Sequence, residues 1–307
     1  MSDETATEAL HIHIGGLHFS FSSKNPLKAA LGTTFDIIGR IPPITYHSEH
    51  IAPRSLHLEE VLAPLPRVTP ALVGLRIGLI TDIHHEPHRP TALLERAVAL
   101  LHAATPDIIL LGGDYVNSIA RDFDRPLALL AQLHAPLGVY GVLGNHDYWA
   151  GADYLAARLT QAGITVLRNE SRRLCAPLGA PWWLVGVDSS TRGHDDLEAA
   201  LAPVPADEFR LLLAHEPEVA DTVVQRGLSV DLQLSGHSHG GQVVLPFIGA
   251  PLLPRLGRRY IRGWHPNPPI YTSRGLGTVP PYLRLNSAPE VTVLTLTHPI
   301  CGPQDQP

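Results

Sequence analysis

The chain has 307 residues, 44% of them hydrophobic and 17% charged, with a formal net charge of −6. That apolar content excludes disorder throughout, and the acidic balance argues against a general nucleic-acid binder, which needs a basic footprint. Eighteen histidines stand against two cysteines, Cys175 and Cys301, so a disulfide framework and a Cys-x-x-Cys site are excluded and any metal site must use His, carboxylate and amide groups. The start, Met1–Leu10, is acidic and lacks the basic and apolar regions of a secretory signal. No run of about 18 apolar residues occurs, so no transmembrane helix is expected. With so few cysteines, a reducing, cytoplasmic setting is the expectation.

Residues 1–64 carry Pro26, Pro42, Pro43, Pro53 and Pro64 and are expected to form an irregular N-terminal extension. Within it, Leu27–Ile41 is mildly apolar and is expected to pack on the body, the alternative being to lie on a membrane. Residues 65–298 are expected to form one domain and 299–307 a flexible tail. From Leu72 the pattern becomes periodic. Strand-length apolar runs fall at Leu75–Ile80, Asp107–Leu111, Val139–Leu143, Trp182–Val187, Phe209–Ala214, Val230–Leu234 and Val291–Leu296. After Pro90, the residues Leu93, Leu94, Ala97, Val98, Leu100 and Leu101 form one helical stripe. Arg121–Leu133 and Ala152–Gln161 read as further helices, the second stopped by Gly163. Alternating strands and helices indicate an α/β fold.

Five of these strands run directly into residues able to bind a metal. They lead to Asp82-x-His84, Gly112-Gly-Asp114, Gly144-Asn145-His146-Asp147, His215, and Gly236-His237-x-His239. Ligands of open α/β sheets bind in the crevice beyond the carboxyl ends of strands. Each motif alone has an ordinary reading, as a strand-end turn, a helix cap or a buried histidine. Only the pair His237 and His239 stands apart, because residues two apart in an extended segment share a face. Together, the five motifs indicate metal binding without identifying a substrate.

In this order, the motifs resemble the calcineurin-like metallophosphoesterase superfamily over about residues 65–296. The likeness is greatest to a bacterial phosphodiesterase branch marked by Gly-His-Ser/Thr-His-Gly-Gly-Gln, here Gly236 to Gln242. Further marks are Leu167-x-Asn169-Glu170, Ser273 to Gly277, and Pro289-Glu290-Val-Thr292. The resemblance implies a four-layer αββα sandwich of two mixed sheets. It implies two divalent ions (Mn, Fe, Zn, Co or Ni), one held by Asp82, His84, Asp114 and His239. The other would be held by Asp114, Asn145, His215 and His237, with Asp114 bridging, since a carboxylate offers two oxygens. His146 would be the catalytic residue, stabilising the transition state or protonating the leaving group, with Asp147 either orienting it or serving as a loop residue.

The activity implied is hydrolysis of a phosphodiester or pyrophosphate bond through a metal-bridging hydroxide. The alternatives are a phosphomonoesterase, a nuclease or a non-catalytic metal-bearing scaffold. The resemblance includes UDP-2,3-diacylglucosamine pyrophosphatases, which makes an anionic, nucleotide- or lipid-linked ester the candidate substrate and peripheral contact with the inner membrane surface an expectation. Oligomeric state is not readable from the residues. His85 and His88, beside the first motif, face either substrate or solvent. Between Pro246 and Leu285, the arginines Arg255, Arg258, Arg259, Arg262, Arg274 and Arg284 alternate with Tyr260, Trp264, Tyr271 and Tyr282. That stretch reads either as a long solvated loop or as a surface for an anionic substrate.

Overall fold

A computed structural model describes residues 9–14, 17–22, 52–86, 90–117, 120, 123–254, 256–280 and 282–299. The segment Leu27–Ile41, His88, Arg255, Cys301 and nearly all of the expected tail lie outside those residues. Strands β1 (Ala9–Ile14) and β2 (Leu17–Ser22) form a two-stranded antiparallel sheet of their own.

Two six-stranded mixed sheets make the body. The first orders its strands β3 (His57–Pro64), β14 (Glu290–Thr297), β4 (Arg76–Ile80), β5 (Ile108–Leu111), β6 (Val139–Gly141) and β7 (Thr165–Val166). The second orders β12 (Gly263–Pro266), β13 (Pro269–Thr272), β11 (Leu232–Ser235), β10 (Phe209–Leu213), β9 (Pro181–Gly186) and β8 (Glu170–Cys175). The pairs β4–β5, β5–β6, β9–β10 and β10–β11 are parallel, whereas β8 and β12 are antiparallel edges.

The period of two along each strand divides its side chains between two interiors. Ile77 and Leu79 of β4, Ile108 and Leu110 of β5, and Phe209, Leu211 and Leu213 of β10 fill the space between the sheets with Trp182 and Leu234. Ile80, Ile109 and Leu111 point the other way, onto helices α1 (Ala92–Ala104), α2 (Asp124–Leu130) and α4 (Ala152–Gln161). Val185 and Leu212 pack outward on α5 (Leu197–Leu201) and α6 (Val219–Gln225). The layers are therefore helix, sheet, sheet, helix, as the resemblance implied. Strands buried on both faces read as unbroken apolar runs, which is why the central ones are visible in sequence. Truncating a core leucine such as Leu211 to alanine would cost about 2–5 kcal/mol.

Several elements differ from expectation. His57–Pro64, inside the stretch expected to be irregular, is an eight-residue edge strand parallel to β14. Its Glu59 and Glu60 interrupt the apolar pattern and pair with Arg274 and Arg76. The helix expected over Arg121–Leu133 spans Asp124–Leu130. The presumed loop from Pro246 to Leu285 contains β12 and β13, with Ile270 and Tyr271 buried. Among the described residues, no helix is long and apolar enough to cross a membrane.

Candidate metal centre

The five strand-end motifs converge. Asp82 and His84 follow β4, Asp114 follows β5, and His215 follows β10. His237 and His239 follow β11, while Asn145 and His146 open helix α3 (Asn145–Ala150) after β6. The backbones of Asp82, His84, Asp114, His237 and His239 all have positive φ, between 46° and 68°. Non-glycine residues adopt this left-handed region at a cost, and such strain gathers at functional sites where surrounding structure enforces it.

Asp114 lies at the centre. Its Oδ2 is 3.1 Å from His215 Nε2 and 3.4 Å from His84 Nε2. His84 Nε2 is 3.1 Å from His239 Nε2, and Asp82 Oδ1 lies 3.8 Å and 3.6 Å from these two nitrogens. His237 Nδ1 lies 3.1 Å from His215 Nε2. Three groups each bring their ligand atoms within 4.8 Å of one another: Asp82, His84 and His239; Asp114, His215 and His237; and His84, Asp114 and His146. The carbonyl oxygen of Asn145 is buried without a hydrogen-bond partner. Facing imidazole nitrogens, a shared carboxylate and an orphaned amide oxygen are the donor set a divalent ion satisfies, so these residues fit a metal site.

A surrounding layer holds them. His215 Nδ1 donates to the Gly112 carbonyl at 2.7 Å, which turns Nε2 toward Asp114. The His237 backbone N–H donates to both Asp82 carboxylate oxygens, at 3.0 and 3.1 Å. Asp147 accepts from the backbone N–H of Asp114, Tyr115 and Gly144, at 2.8, 2.8 and 2.9 Å. It therefore ties the β5 loop to the start of α3 rather than orienting the His146 ring. A side chain at Gly144 would land on Asp114 Oδ1, and one at Gly236 on Asp82 Oδ2. Both positions need glycine for close approach.

Arg284, expected within a possible anion-binding surface, has another use. Its buried guanidinium donates to the carbonyls of Arg274, Gly275, Gly277, Ser287 and His239. Burial pulls its pKa down to about 10. The clasp supports the Ser273–Gly277 segment, where Gly277 N–H donates to the Asp82 carbonyl at 2.6 Å. Arg274 is likewise engaged, with Glu59 and Glu290. Asn169 accepts from the backbone N–H of Asp188 and Asp196, each at 3.0 Å. Arg284→Met is expected to lower stability by about 3 kcal/mol or more, since several buried carbonyls lose their donor. A thermal melt should then show the midpoint lowered by roughly 6–12 °C, and an unchanged midpoint would contradict the clasp.

Burial pushes the Asp82 carboxyl up to about 6 and holds His84, His237 and His239 below the usual imidazole range, His237 at about 3. These histidines are thereby kept neutral, the form that binds metal. Burial opposes charge on both His215 and Asp114, yet their attraction prevails, raising the His215 pKa and lowering that of Asp114. Burial and the neighbouring Asp114 push Asp147 up to about 8.

A cleft of about 360 Å³ opens over Asp114, Asn145, His237 and His239. His146 borders it, half-buried, with its backbone N–H donating to Asp114 Oδ1 at 2.8 Å. Its ring stands edge-on to His84, at a centroid distance of 4.7 Å, and against Trp149 at 4.3 Å. Sequence reasoning missed Trp149, which is 54% exposed at the mouth and has the Arg192 guanidinium 5.9 Å from its ring centroid. Its place three residues after His146 on α3 was the available signal. His85 is held by a backbone bridge to Val116, outside these ligand groups.

Two facing mixed sheets, with a buried carboxylate, imidazole and amide cluster beyond their strand ends, define a metal-dependent phosphoric ester hydrolase. The family described as Calcineurin-like phosphoesterase matches residues 75–241, over half of the chain, and the chain belongs to that family. Phosphodiesterase YaeI of Escherichia coli (strain K12) is 36% identical over 231 residues, covering 72% of this chain and 82% of the relative. The uncharacterized metallophosphoesterase YkuE of Bacillus subtilis (strain 168) is 30% identical over 81% of this chain and 88% of the relative. An uncharacterized metallophosphoesterase of Aquifex aeolicus (strain VF5) is 32% identical, covering 78% and 94% respectively.

Proposed function

We propose that the chain hydrolyses a phosphodiester or pyrophosphate bond at a dinuclear centre. Asp82, His84, Asp114 and His239 would hold one ion, and Asp114, Asn145, His215 and His237 the other. The observation that carries this reading is Asp114 Oδ2, within 3.1–3.4 Å of histidines from both sets. Bound divalent ions supply an activated water and neutralise charge on the phosphoryl oxygens. Asn145 contributes an oxygen without adding negative charge, which leaves the centre attractive to an anionic ester. His146 is the proposed catalytic residue: its Nδ1 faces the Asn117 carbonyl, which can only accept, so Nδ1 carries a proton and Nε2 is left for substrate. The resemblance to a protein described as a phosphodiesterase favours a diester over a monoester. The unit carrying the activity is proposed as residues 65–298, completed at its sheet edge by β3.

The test is turnover of bis-p-nitrophenyl phosphate against p-nitrophenyl phosphate, with Mn, Fe, Zn, Co or Ni supplied separately. Faster diester hydrolysis, abolished by chelation, is expected. Faster monoester hydrolysis would overturn the diester assignment, and absence of turnover with every metal would make the protein a scaffold.

Metal affinity should also depend on pH. Metal binds the ionised Asp82, whose carboxyl titrates at about 6 in the empty protein, so affinity is expected to rise with pH through that value. Below it, competition should weaken binding by about tenfold per pH unit for each proton displaced. Manganese titration calorimetry in buffers of different ionisation enthalpy would report the released protons. Affinity independent of pH between 5 and 7, at roughly two units' span around that titration, would exclude Asp82 as a ligand.

A further inference from the structure

Immediately after the cleft residue Val243, the chain makes a tight excursion. Leu245 N–H donates to the Gly249 carbonyl at 2.8 Å, and Gly249 N–H returns to the Leu245 carbonyl at 3.0 Å. This closed turn holds Phe247 and Ile248 outward, 109% and 73% exposed. Phe247 has φ of 65°, so a bulky aromatic residue occupies a strained backbone position without gaining any packing. Large apolar side chains held rigidly in water at a loop tip are unfavourable unless something covers them.

The chemistry around the tip indicates what covers it. The segment from Pro246 to Arg262 contains Arg255, Arg258, Arg259 and Arg262 and no acidic residue, in a chain whose net charge is −6. Arg259 pairs with Asp221. The exposed Arg258 and Arg262 side chains have no acidic partner among the described residues. Apolar anchors that enter the acyl boundary, with arginines at headgroup level, match an anionic lipid surface. Glu218 accepts the backbone N–H groups of Arg258 and Arg259, and the exposed Arg258 guanidinium is left to meet a headgroup.

The segment also adjoins the reaction site. Val243, Leu252, Leu253, Pro254, Val279 and Pro280 are the apolar residues that line the cleft beside Trp149. The tip lies between Val243 and Leu252 in the chain, so the segment that carries it also contributes to the apolar wall of the cleft that holds Asp114 and His146. An ester whose phosphate enters the cleft could keep its hydrocarbon portion along that wall.

We propose that the Pro246–Arg262 segment docks on an anionic lipid surface, with Phe247 and Ile248 inserted and the cleft opening toward the headgroups. The delivery of a lipid-borne ester rests on the phosphoesterase reading above, whereas the docking itself does not.

The test uses the full chain with vesicles of phosphatidylcholine alone and of phosphatidylcholine mixed with phosphatidylglycerol. Sedimentation should show binding to the mixed vesicles, reduced by salt. Phe247→Ser with Ile248→Ser should weaken it by about 10²-fold, as expected for removing two inserted apolar side chains. Phe247→Leu with Ile248→Leu should retain most of the binding, and Arg258→Glu with Arg262→Glu should abolish the preference for anionic vesicles. Turnover of soluble bis-p-nitrophenyl phosphate should be unchanged in all three variants, which separates failure of docking from failure of the chemistry. Equal vesicle binding by the serine variant and the original chain, or no binding by the original chain, would overturn the proposal. So would a serine variant that converts a dimer to a monomer in vesicle-free solution, since the tip would then be a contact between copies.

Discussion

His146→Ala is expected to retain metal and fold but lose about 10²–10⁴-fold in turnover, the usual contribution of a positioned acid or base. Three observations set that expectation. The His146 backbone, not its ring, donates to Asp114 at 2.8 Å, so the contact that steadies the carboxylate survives truncation. The proposed ligands are supplied by other residues, and the clamp formed by Asp147 is made to main-chain N–H groups. The ring itself borders the cleft beside Trp149, where it can reach substrate.

The variant also distinguishes two uses of the ring. Because Nδ1 donates to Asn117, proton donation from Nε2 requires the imidazolium, while acceptance requires the neutral form. If His146 protonates the leaving group, the alanine variant should suffer least on esters with good leaving groups, such as p-nitrophenolate. His146 also shares a group with His84 and Asp114, within 4.8 Å, so metal content must be measured beside turnover. Normal turnover would remove it from catalysis, and lost metal would make it a ligand.

The parts legible in sequence share a physical cause. Central strands β4, β5 and β10 are covered on both faces, so each carries an apolar run that ends shortly before Asp82, Asp114 and His215, whereas β11 alternates Leu232 and Leu234 with the buried polar Gln233 and Ser235 ahead of His237. Helices α1 and α4 present one apolar stripe each and were equally clear. Edge strands were hidden because water covers part of them. Strand β8 reads Glu-Ser-Arg-Arg-Leu-Cys, without an apolar run, and β3 is interrupted by two glutamates. Strands β12 and β13 hide among prolines, with Trp264 paired to Tyr271 across them.

At the site, residue type and position after a strand identified the candidates, but their supporting contacts are tertiary. Nothing local marks Asp147 as a collector of backbone N–H groups from a loop more than thirty residues away. Nor could the arginines between Pro246 and Leu285 be sorted by sequence. Arg284 clasps carbonyls and Arg274 joins two glutamates, while Arg258 stays exposed. Only burial and partners separate a structural arginine from one available to an anion.

Asp114→Asn should be the more damaging change to metal content, although it alters one atom. In the native chain Oδ1 accepts the His146 N–H and Oδ2 faces His215 and His84. An asparagine can keep the first contact only by presenting its NH₂ group to the two imidazoles. It would then offer no lone pair where both proposed ions need one, and would remove the negative charge at their meeting point. Losing the shared ligand should reduce bound metal below the native stoichiometry and slow turnover by roughly 10³–10⁴-fold, corresponding to several kcal/mol of lost electrostatic stabilisation. The fold should persist, because the backbone N–H of residue 114 still reaches Asp147. Elemental analysis together with a melting curve separates these effects. Native metal content in a folded Asp114→Asn protein would contradict the bridge, whereas reduced metal with a retained melting transition would support it. His215 provides an independent check, since Asp114 is what holds its pKa up against burial. In the metal-free variant only the weaker attraction of Asp82 and Glu216 is left to oppose burial, so the His215 imidazole resonances should titrate at lower pH than in the native metal-free chain.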